Sequence, residues 1–231
     1  MSQKEIVIIG ASRGLGLGLV REYLSRGWRV TATARDLGRA DALRALASTS
    51  PDLRLETVDI DDGAAAAALA QRLHGIIFDV VFINAGVSGP KAQGADQATR
   101  AEVGALFYTN AIAPIRIAEK LVGLVKPGTG VVAFMSSRVG SLTEESSGFR
   151  PLYRASKAAL NSMTKSFVAS LKNNPVTVLS MHPGWVRTDM GGPDAPLDVA
   201  TSVAGLADVV DKRAGTKVHA FVDYQDTQLP W

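Results

Sequence analysis

Residues 4–16 read KEIVIIGASRGLG, an apolar run that ends in a glycine-rich turn. The apolar run predicts a buried strand over 4–9, and the periodicity beyond the turn predicts a helix over about 13–26. A glycine-rich turn between such a strand and helix lets the backbone approach a pyrophosphate, which the helix N-terminus binds through free N–H groups. The stretch therefore indicates a dinucleotide-binding βαβ unit, the alternative being a tight turn that binds no ligand.

The same alternation of strands and helices continues along the rest of the chain. Further strands are predicted at 28–34, 53–58, 76–83, 130–135, 176–182 and 217–223. Further helices are predicted at about 37–48, 61–73, 97–125, 152–173 and 198–212. Continuously apolar strands joined by helices are typical of a parallel sheet that is covered on both faces. We therefore predict an α/β protein, one Rossmann-type domain over 1–231 with a doubly wound, seven-stranded parallel sheet.

The composition is that of a folded protein of ordinary size. Its 231 residues are 46% hydrophobic and 20% charged, which fits one sizeable core and excludes a largely disordered chain. The absence of cysteine excludes disulfide frameworks, thiolate metal sites and thiol nucleophiles. The 25 Lys and Arg are scattered singly among 22 Asp and Glu, a pattern that argues against nucleic-acid binding.

Membrane and metal-binding proteins find equally little support. The N-terminus lacks the features of a signal peptide, and no apolar stretch approaches the roughly 18 residues that a membrane span requires. We therefore expect a soluble, cytoplasmic protein. His74 and His219 have no partners at metal-ligand spacing, so no metal site is predicted, and His182 is interpreted as a structural residue at a strand end.

The end of the second predicted strand bears on the choice of nucleotide. An NAD-binding protein places an acidic residue there for the ribose hydroxyl, whereas this chain has Arg35. Arg35 and Arg13 can converge on a 2′-phosphate through their planar guanidinium groups, so we expect NADP(H) to be preferred over NAD(H). Asp36 follows one position late and can instead cap the next helix, and ligand-free surface arginines are the alternative interpretation.

Two more strand ends should contact the cofactor, because ligands of open α/β sheets bind outside the carboxyl ends of the strands. Asp59 and Ile60, just beyond the third predicted strand, are positioned to contact adenine. Asn84, Ala85 and Gly86, after the fourth, place small residues against the cofactor.

A possible chemical site follows the fifth predicted strand. Ser137 ends that strand, Asn110 lies in the helix before it, and Tyr153 and Lys157 lie four residues apart in the next helix. Their spacing puts tyrosine and lysine on one helix face, where a cation lowers the pKa of a phenol from its usual value near ~10. Tyr-x-x-x-Lys alone is more often structural than functional. Its occurrence with the glycine-rich turn, Asn110 and Ser137 in this order favours catalysis.

The whole chain resembles the short-chain dehydrogenase/reductase family. The motifs that carry the resemblance are Gly10-x-x-x-Gly14-x-Gly16, Asn84-Ala85-Gly86, Asn110, Ser137-x-x-Gly140, Tyr153-x-x-x-Lys157 and Pro183-Gly184. Within the family, residues 182–193 (HPGWVRTDMGGP) and the ending at 222–231 resemble the carbonyl reductase branch that includes the sniffer and C-factor proteins.

The resemblance implies a reaction and a role for each residue. Hydride passes between C4 of the nicotinamide and a substrate carbonyl carbon, while Tyr153 gives or takes the proton on the oxygen. Ser137 binds that oxygen, Lys157 lowers the pKa of the tyrosine and binds the ribose, and Asn110 holds a proton-relay water. The implied cofactor contacts are Gly10, Ser12, Arg13, Gly14, Leu15, Gly16, Arg35, Asp59, Ile60, Asn84, Ala85, Gly86, Tyr153, Lys157, Pro183, Gly184, Val186 and Thr188.

The chain departs from the family pattern in three places. Ile9 and Ile83 replace a usual threonine and asparagine, from which we expect some loss of local hydrogen bonding with activity retained. The 16-residue spacing from Ser137 to Tyr153 is longer than usual. The extra loop over 141–151, which contains Glu144 and Glu145, is expected to shape the substrate entrance.

We therefore predict an NADPH-dependent carbonyl reductase acting on small or varied aldehydes and ketones. The alternative is a dinucleotide-binding regulatory protein with little catalysis, since one fold supports many functions. A nucleotide-sugar epimerase is disfavoured because no separate substrate domain fits. Met163, Phe167 and Leu171 recur at helical spacing and form either core or a helix-pairing face. The family pairs its long helices between subunits, which implies a homodimer or homotetramer.

Overall fold

The computed structural model describes residues 3–144, 148–171 and 175–231. Seven strands form one sheet: β1 Glu5–Ile9, β2 Arg29–Ala34, β3 Leu53–Thr57, β4 Val80–Ile83, β5 Val131–Met135, β6 Thr177–His182 and β7 His219–Asp223. Their order is β3-β2-β1-β4-β5-β6-β7, and every neighbouring pair is parallel. The predicted doubly wound parallel sheet is confirmed.

Helices connect the strands on both faces of the sheet. Within the described ranges they are α1 Gly14–Ser25, α2 Asp41–Thr49, α3 Gly63–Arg72, α4, α5 Pro151–Ser170 and α6 Val199–Arg213. Helix α4 consists of three consecutive segments, Arg100–Phe107, Tyr108–Ile112 and Ala113–Leu121. Short 3₁₀ turns lie at Leu37–Arg39, Val122–Leu124 and Arg138–Gly140.

Alternation along the strands divides the core into two layers. Ile6 and Ile8 of β1 are fully buried against α1 and α6, whereas Val7 and Ile9 are fully buried against α3, α4 and α5. Successive side chains of a strand point to opposite faces, so a strand in which every residue is apolar must be covered on both sides. This explains why apolar residues occupy successive positions of these strands instead of alternating with polar ones.

The fourth strand is shorter than its sequence predicts. The apolar run 76–83 predicts eight residues of strand, but the regular ladder begins at Val80. Phe78 instead forms an isolated bridge with Val125, donating to Leu124 O at 2.8 Å and accepting from Lys126 N at 2.9 Å. Residues 124–126, which follow α4, therefore pair with Phe78 outside the regular ladder of the sheet.

Helix boundaries also differ from the predictions, because local caps decide them. Helix α4 begins at residue 100 rather than 97, where Thr99 and Glu102 form a reciprocal capping box. Asp36 caps the 3₁₀ turn at 37–39 by accepting from Gly38 N at 2.8 Å, so α2 begins at residue 41. Helix α5 ends at Ser170, and the predicted stop at residues 173–174 lies outside the described residues.

Candidate active site

The carboxyl ends of the central strands open into one cleft of about 690 Å³, which we call the main cleft. Most of the predicted site residues line it: Gly10, Ser12, Arg13, Gly14, Leu15, Arg35, Asp59, Ile60, Asn84, Ala85, Gly86, Ser137, Tyr153, Lys157, Pro183, Gly184, Val186 and Thr188. Gly16 and Asn110 do not line it. The sheet therefore brings together side chains that are far apart in sequence.

Gly16 lies behind the turn rather than on its surface. A Cβ at this position would lie 2.1 Å from Gly10 O and 2.7 Å from Asn84 Nδ2, closer than any side chain can approach. Gly10 has a φ of +86°, in the left-handed region that glycine alone adopts readily. The first glycine thus makes the turn possible, while Gly16 lets α1 pack directly against it.

Neighbouring strands hold the turn in place. Gly10 N donates to Thr33 Oγ1 at 3.1 Å, and Ala11 N donates to Thr33 O at 2.7 Å. From the other side, Asn84 Nδ2 donates to Gly10 O at 2.6 Å. Thr33 thus accepts two hydrogen bonds from the turn, while Ile9 itself is fully buried in the core.

The start of α1 has no side-chain cap. Arg13 occupies the N-cap position without a capping hydrogen bond, and the first turn contains no acidic residue. Ser12, Arg13, Gly14 and Leu15 line the main cleft at this point. The first N–H groups of a helix lack intrahelical partners, so this end of the cleft suits a phosphate group.

Two arginines lie beside the turn. Arg13 Nη1 is 3.0 Å from Asp189 Oδ2 across the cleft, in an ion pair whose side chains are 79% and 78% exposed. Such an exposed pair contributes only about 0–1 kcal/mol, so an anionic ligand can displace it. Arg35 also lines the cleft, is exposed, and forms no ion pair with any described residue. The side chain of Asp36 is engaged in its cap.

At the other end of the cleft, Lys157 lies buried beneath Tyr153. Its Nζ atom is 5.9 Å from the centroid of the Tyr153 ring and donates to Met135 O, at the end of β5, at 2.9 Å. Because burial disfavours the charged form, the pKa of Lys157 falls to about 8. The expected shared helix face is confirmed, one turn of α5 separating the two groups.

The pKa of Tyr153 departs from the prediction in this structure. Burial raises it to about 12, against the opposing effects of the Arg150 charge and a hydrogen bond with Ser137. The predicted lowering by Lys157 is therefore not what this chain's side chains produce by themselves. The phenol holds its proton firmly at neutral pH, beside the Ser137 hydroxyl. The neighbouring Ser136 instead donates to Asn161 Oδ1 at 2.6 Å.

Asn110 lies in an irregular turn of α4. It is fully buried within Tyr108–Ile112, whose backbone forms a π-helical turn, a feature frequent at functional sites. Its Nδ2 donates to Val87 O at 2.9 Å and to Ser156 Oγ at 3.0 Å, while its Oδ1 accepts from Val87 N at 2.8 Å. A Cβ on Gly86 would lie 3.2 Å from Asn110 Oδ1 and 3.5 Å from Lys157 Nζ, so Gly86 keeps the space between them open.

Comparison with known proteins agrees with this geometry. A profile of the short chain dehydrogenases matches residues 4–196. The chain belongs to that family. A carbonyl reductase from Pseudomonas aeruginosa PAO1, solved in complex with NADP, is 44% identical with a TM-score of 0.93, covering 100% of both chains. The carbonyl reductase Sniffer of D. melanogaster is 32% identical with a TM-score of 0.90, again over 100% of both chains. The C-signal protein of Myxococcus xanthus is 40% identical over 154 residues, 66% of this chain and 92% of that protein.

Several residues of this short-chain dehydrogenase contribute to the site without belonging to a predicted motif. Gln93 Oε1 accepts from Tyr153 N at 3.0 Å, which fixes the start of α5. Asp61 accepts from Thr109 Oγ1 at 2.8 Å, and both line the main cleft. Phe149 and Arg150 reach the cleft from the loop over 141–151, so this loop contributes to the cleft wall, as expected. Glu145 lies outside the described residues.

No sequence signal marks these residues. Gln93 acts through a loop with no periodicity, and Thr109 and Asp61 come from different elements. Glu144 pairs with Arg138 at 3.3 Å rather than facing a ligand. Such contacts form between loops that are distant in sequence, so they depend on the tertiary arrangement alone.

His182 also lines the main cleft at the end of β6. Burial and the nearby Arg138 charge lower its pKa to about 4, and its Nδ1 has no hydrogen-bond partner among the described residues. It is therefore neutral at physiological pH, which agrees with a structural role. No group of three or more acidic or histidine side chains suited to a metal ion occurs in the described ranges. Nor does any helix there have the length and apolar character needed to cross a membrane.

Proposed function

We propose that this short-chain dehydrogenase is an NADPH-dependent carbonyl reductase that reduces aldehydes and ketones and, in reverse, oxidises alcohols. The observation that carries the proposal is the arrangement of Ser137, Tyr153 and Lys157 at one end of a cleft whose other end is an uncapped glycine-rich turn. Two structural neighbours are named carbonyl reductases, and one of them was solved with NADP, which supports the assignment.

The residues of the cleft fit a dinucleotide along its whole length. The turn Gly10–Gly16 and the first N–H groups of α1 would hold the pyrophosphate, with Asp59 and Ile60 against the adenine. Arg13 and Arg35 would hold a 2′-phosphate, which is our basis for proposing NADP(H) over NAD(H). The remaining cofactor contacts, on the nicotinamide half, would be Asn84, Ala85, Gly86, Pro183, Gly184, Val186 and Thr188.

When bound, the reduced dinucleotide supplies the hydride that reaches the carbonyl carbon. Tyr153 supplies the proton, because its phenol is protonated at neutral pH and lies beside the hydroxyl that would bind the substrate oxygen. Ser137 holds that oxygen while negative charge develops on it. The buried ammonium of Lys157, 5.9 Å from the ring, stabilises the phenolate that remains.

Asn110 is proposed to act from behind these residues. Its side chain is fixed by Val87 and Ser156, and only the small Gly86 separates it from Lys157. A water held between Asn110 and Lys157 would return a proton to the phenolate. Asn110 would thus be a positioning residue for the relay rather than one that contacts substrate.

The decisive test compares the purified protein with its Tyr153→Phe variant. NADPH consumption is followed by its near-ultraviolet absorbance with a panel of aldehydes, diketones and quinones. Removing the general acid should lower kcat/KM by about 10²–10⁴-fold. NADPH binding, measured by fluorescence, should be unchanged. Binding of NADPH without turnover of any carbonyl compound would favour a regulatory protein instead, and no binding of either nucleotide would overturn the proposal.

The proposal extends to assembly and location. We propose one catalytic domain over 1–231, working in the cytoplasm, where NADPH is regenerated. We also propose a homodimer or homotetramer, as is common for this family. Phe167 is buried against Phe134 at a centroid separation of 5.8 Å, so this part of α5 serves the core and any pairing must use its exposed positions. A mass measurement at micromolar protein that finds only monomer would remove the oligomer.

A further inference from the structure

A second cavity adjoins the substrate end of the main cleft. It has a volume of about 520 Å³, and we call it the side cavity. Phe149 and Arg150 line both spaces and therefore form the boundary between them. Lys91 and Gln93, from the loop after β4, also line the side cavity. Tyr153 also lines the main cleft, three residues after Arg150 in the chain, so this boundary lies next to the proposed proton donor.

Arg150 is held at that boundary in an unusual conformation. Its φ of 51° and ψ of 57° lie in the left-handed region, which residues other than glycine seldom adopt. Its Cζ lies 5.0 Å from the centroid of the Phe149 ring, and its Nη1 donates to Met190 O at 3.4 Å. A strained residue that persists at the wall of a cleft is typical of functional positions.

The charges around the side cavity have one sign. Lys91 and Arg150 line it, and no aspartate or glutamate does so among the described residues. Arg150 also forms no ion pair with a carboxylate in the described parts of the chain, unlike Arg13, which pairs with Asp189. Its charge acts on the Tyr153 phenol, so the guanidinium is close enough to influence whatever binds there.

We propose that Arg150 binds a carboxylate on the carbonyl substrate, so that the preferred substrates are aldehydes or ketones whose apolar or aromatic body ends in a carboxylate. This inference rests on the proposed function. A guanidinium matches a carboxylate in a planar, bidentate geometry, which a surface ammonium does not provide. Lys91, which also lines the side cavity, supplies a second, weaker attraction.

The large apolar side chains of the main cleft suit the apolar body of such a substrate. Phe149 and Trp185 are large, exposed to 68% and 58%, and both line the main cleft together with Met190. In the reduction, hydride adds to the carbonyl carbon and the Tyr153 proton adds to its oxygen. The carboxylate is unchanged by the reaction and serves only to orient the carbonyl toward Tyr153.

The test uses a matched pair of substrates, terephthalaldehydic acid and its methyl ester, which differ in charge but have similar shape. The Arg150→Gly variant removes the guanidinium and suits the left-handed backbone, so it should fold. We expect kcat/KM for the acid to fall by about 10–100-fold and that for the ester to change by less than about 3-fold. Arg150→Lys should retain part of the preference, and Lys91→Gln should lose less than Arg150→Gly.

Two controls separate the inference from the proposed function. Arg100→Gln removes an exposed cation that lines neither cavity and should leave both substrates unaffected. Calorimetric binding of terephthalate to the protein saturated with NADP⁺ provides a readout without turnover, and it should be lost in Arg150→Gly. Equal losses for acid and ester, or unchanged terephthalate binding, would overturn the inference. Failure to reduce any carbonyl, with Arg150-dependent terephthalate binding retained, would overturn the proposed function instead.

Discussion

The two ends of the main cleft are built in different ways. At the nucleotide end, a tight turn is held by backbone and side-chain hydrogen bonds from two neighbouring strands, through Thr33 and Asn84. At the substrate end, long loops contribute exposed side chains such as Phe149 and Trp185. The nucleotide end therefore depends on the sheet, whereas the substrate end depends on segments that can vary without disturbing it.

The largest difference between the two ends is the environment of their positive charges. Arg13 and Arg35 are exposed at the nucleotide end, whereas the positive charge of Lys157 is buried at the substrate end. Lys157 is buried, its pKa is lowered to about 8, and it would therefore oppose folding at neutral pH while serving the chemistry. Lys157→Met should lower kcat/KM by about 100-fold or more. The same change should raise the free energy of unfolding by about 1 kcal/mol, since relief from burying an ammonium outweighs the lost bond to Met135 O.

Urea unfolding and steady-state kinetics of the same preparations check this prediction. Lys120→Met is the matched control, because Lys120 is an exposed residue of α4, and its replacement should change neither quantity appreciably. A destabilised Lys157→Met variant would show that the lysine supports the fold, and the contrast between the two ends would then disappear.

At the nucleotide end, the most disruptive substitution should act through a steric clash rather than through the loss of a reacting group. Gly16→Ala places a Cβ 2.1 Å from Gly10 O, so the turn and α1 must separate. We expect a loss of about 1–3 kcal/mol of stability together with weakened NADPH binding. Gly104→Ala is the control, since a Cβ there meets nothing within 4 Å. That helical substitution should stabilise the protein by about 0.5–1 kcal/mol.

Both variants are compared by urea unfolding and by NADPH fluorescence titration. The observation that would contradict the packing argument is a Gly16→Ala variant with the stability and NADPH affinity of the original protein.

The fold and the nucleotide end could be predicted from the sequence because their signals are local. Apolar runs mark the strands, and the glycines at 10, 14 and 16 follow the first strand directly. At the substrate end, the spacing of Tyr153 and Lys157 is a local signal of the same kind, but the loops around them give none. Arg150 adopts a positive φ that nothing about arginine favours, and Gln93 acts on Tyr153 from 60 positions away. The π turn at Asn110 and the shortened β4 likewise depend on tertiary contacts that no periodicity records.

A substitution at Arg35 tests whether the nucleotide end determines the preference for NADPH over NADH. Arg35 is exposed and unpaired among the described residues, so its replacement by serine removes a charge without affecting the core. Arg35→Ser should weaken NADPH binding by about 10-fold, the loss of one charge-assisted contact, and leave NADH binding nearly unchanged. Fluorescence titration with both nucleotides measures the ratio. An equal loss for NADH and NADPH would mean that Arg35 does not contact the 2′-phosphate.

The last expected effect is spread over more than two pH units, a dependence of stability on pH at the substrate end. Burial holds the pKa of His182 at about 4, although Asp223 acts to raise it, and a histidine in the unfolded chain titrates near ~6.5. Between these values the unfolded chain binds more protons than the folded one, so stability falls as the pH drops from about 6.5 to 4.

His182→Leu should remove part of this slope, on the order of 1–2 kcal/mol across the interval, while His219, whose pKa is also about 4, retains its own share. Urea unfolding at a series of pH values measures the slope for each variant. His74→Gln, a change at an exposed histidine, should leave the slope as it is. If His182→Leu also leaves it unchanged, His182 is not held neutral by burial in the folded protein.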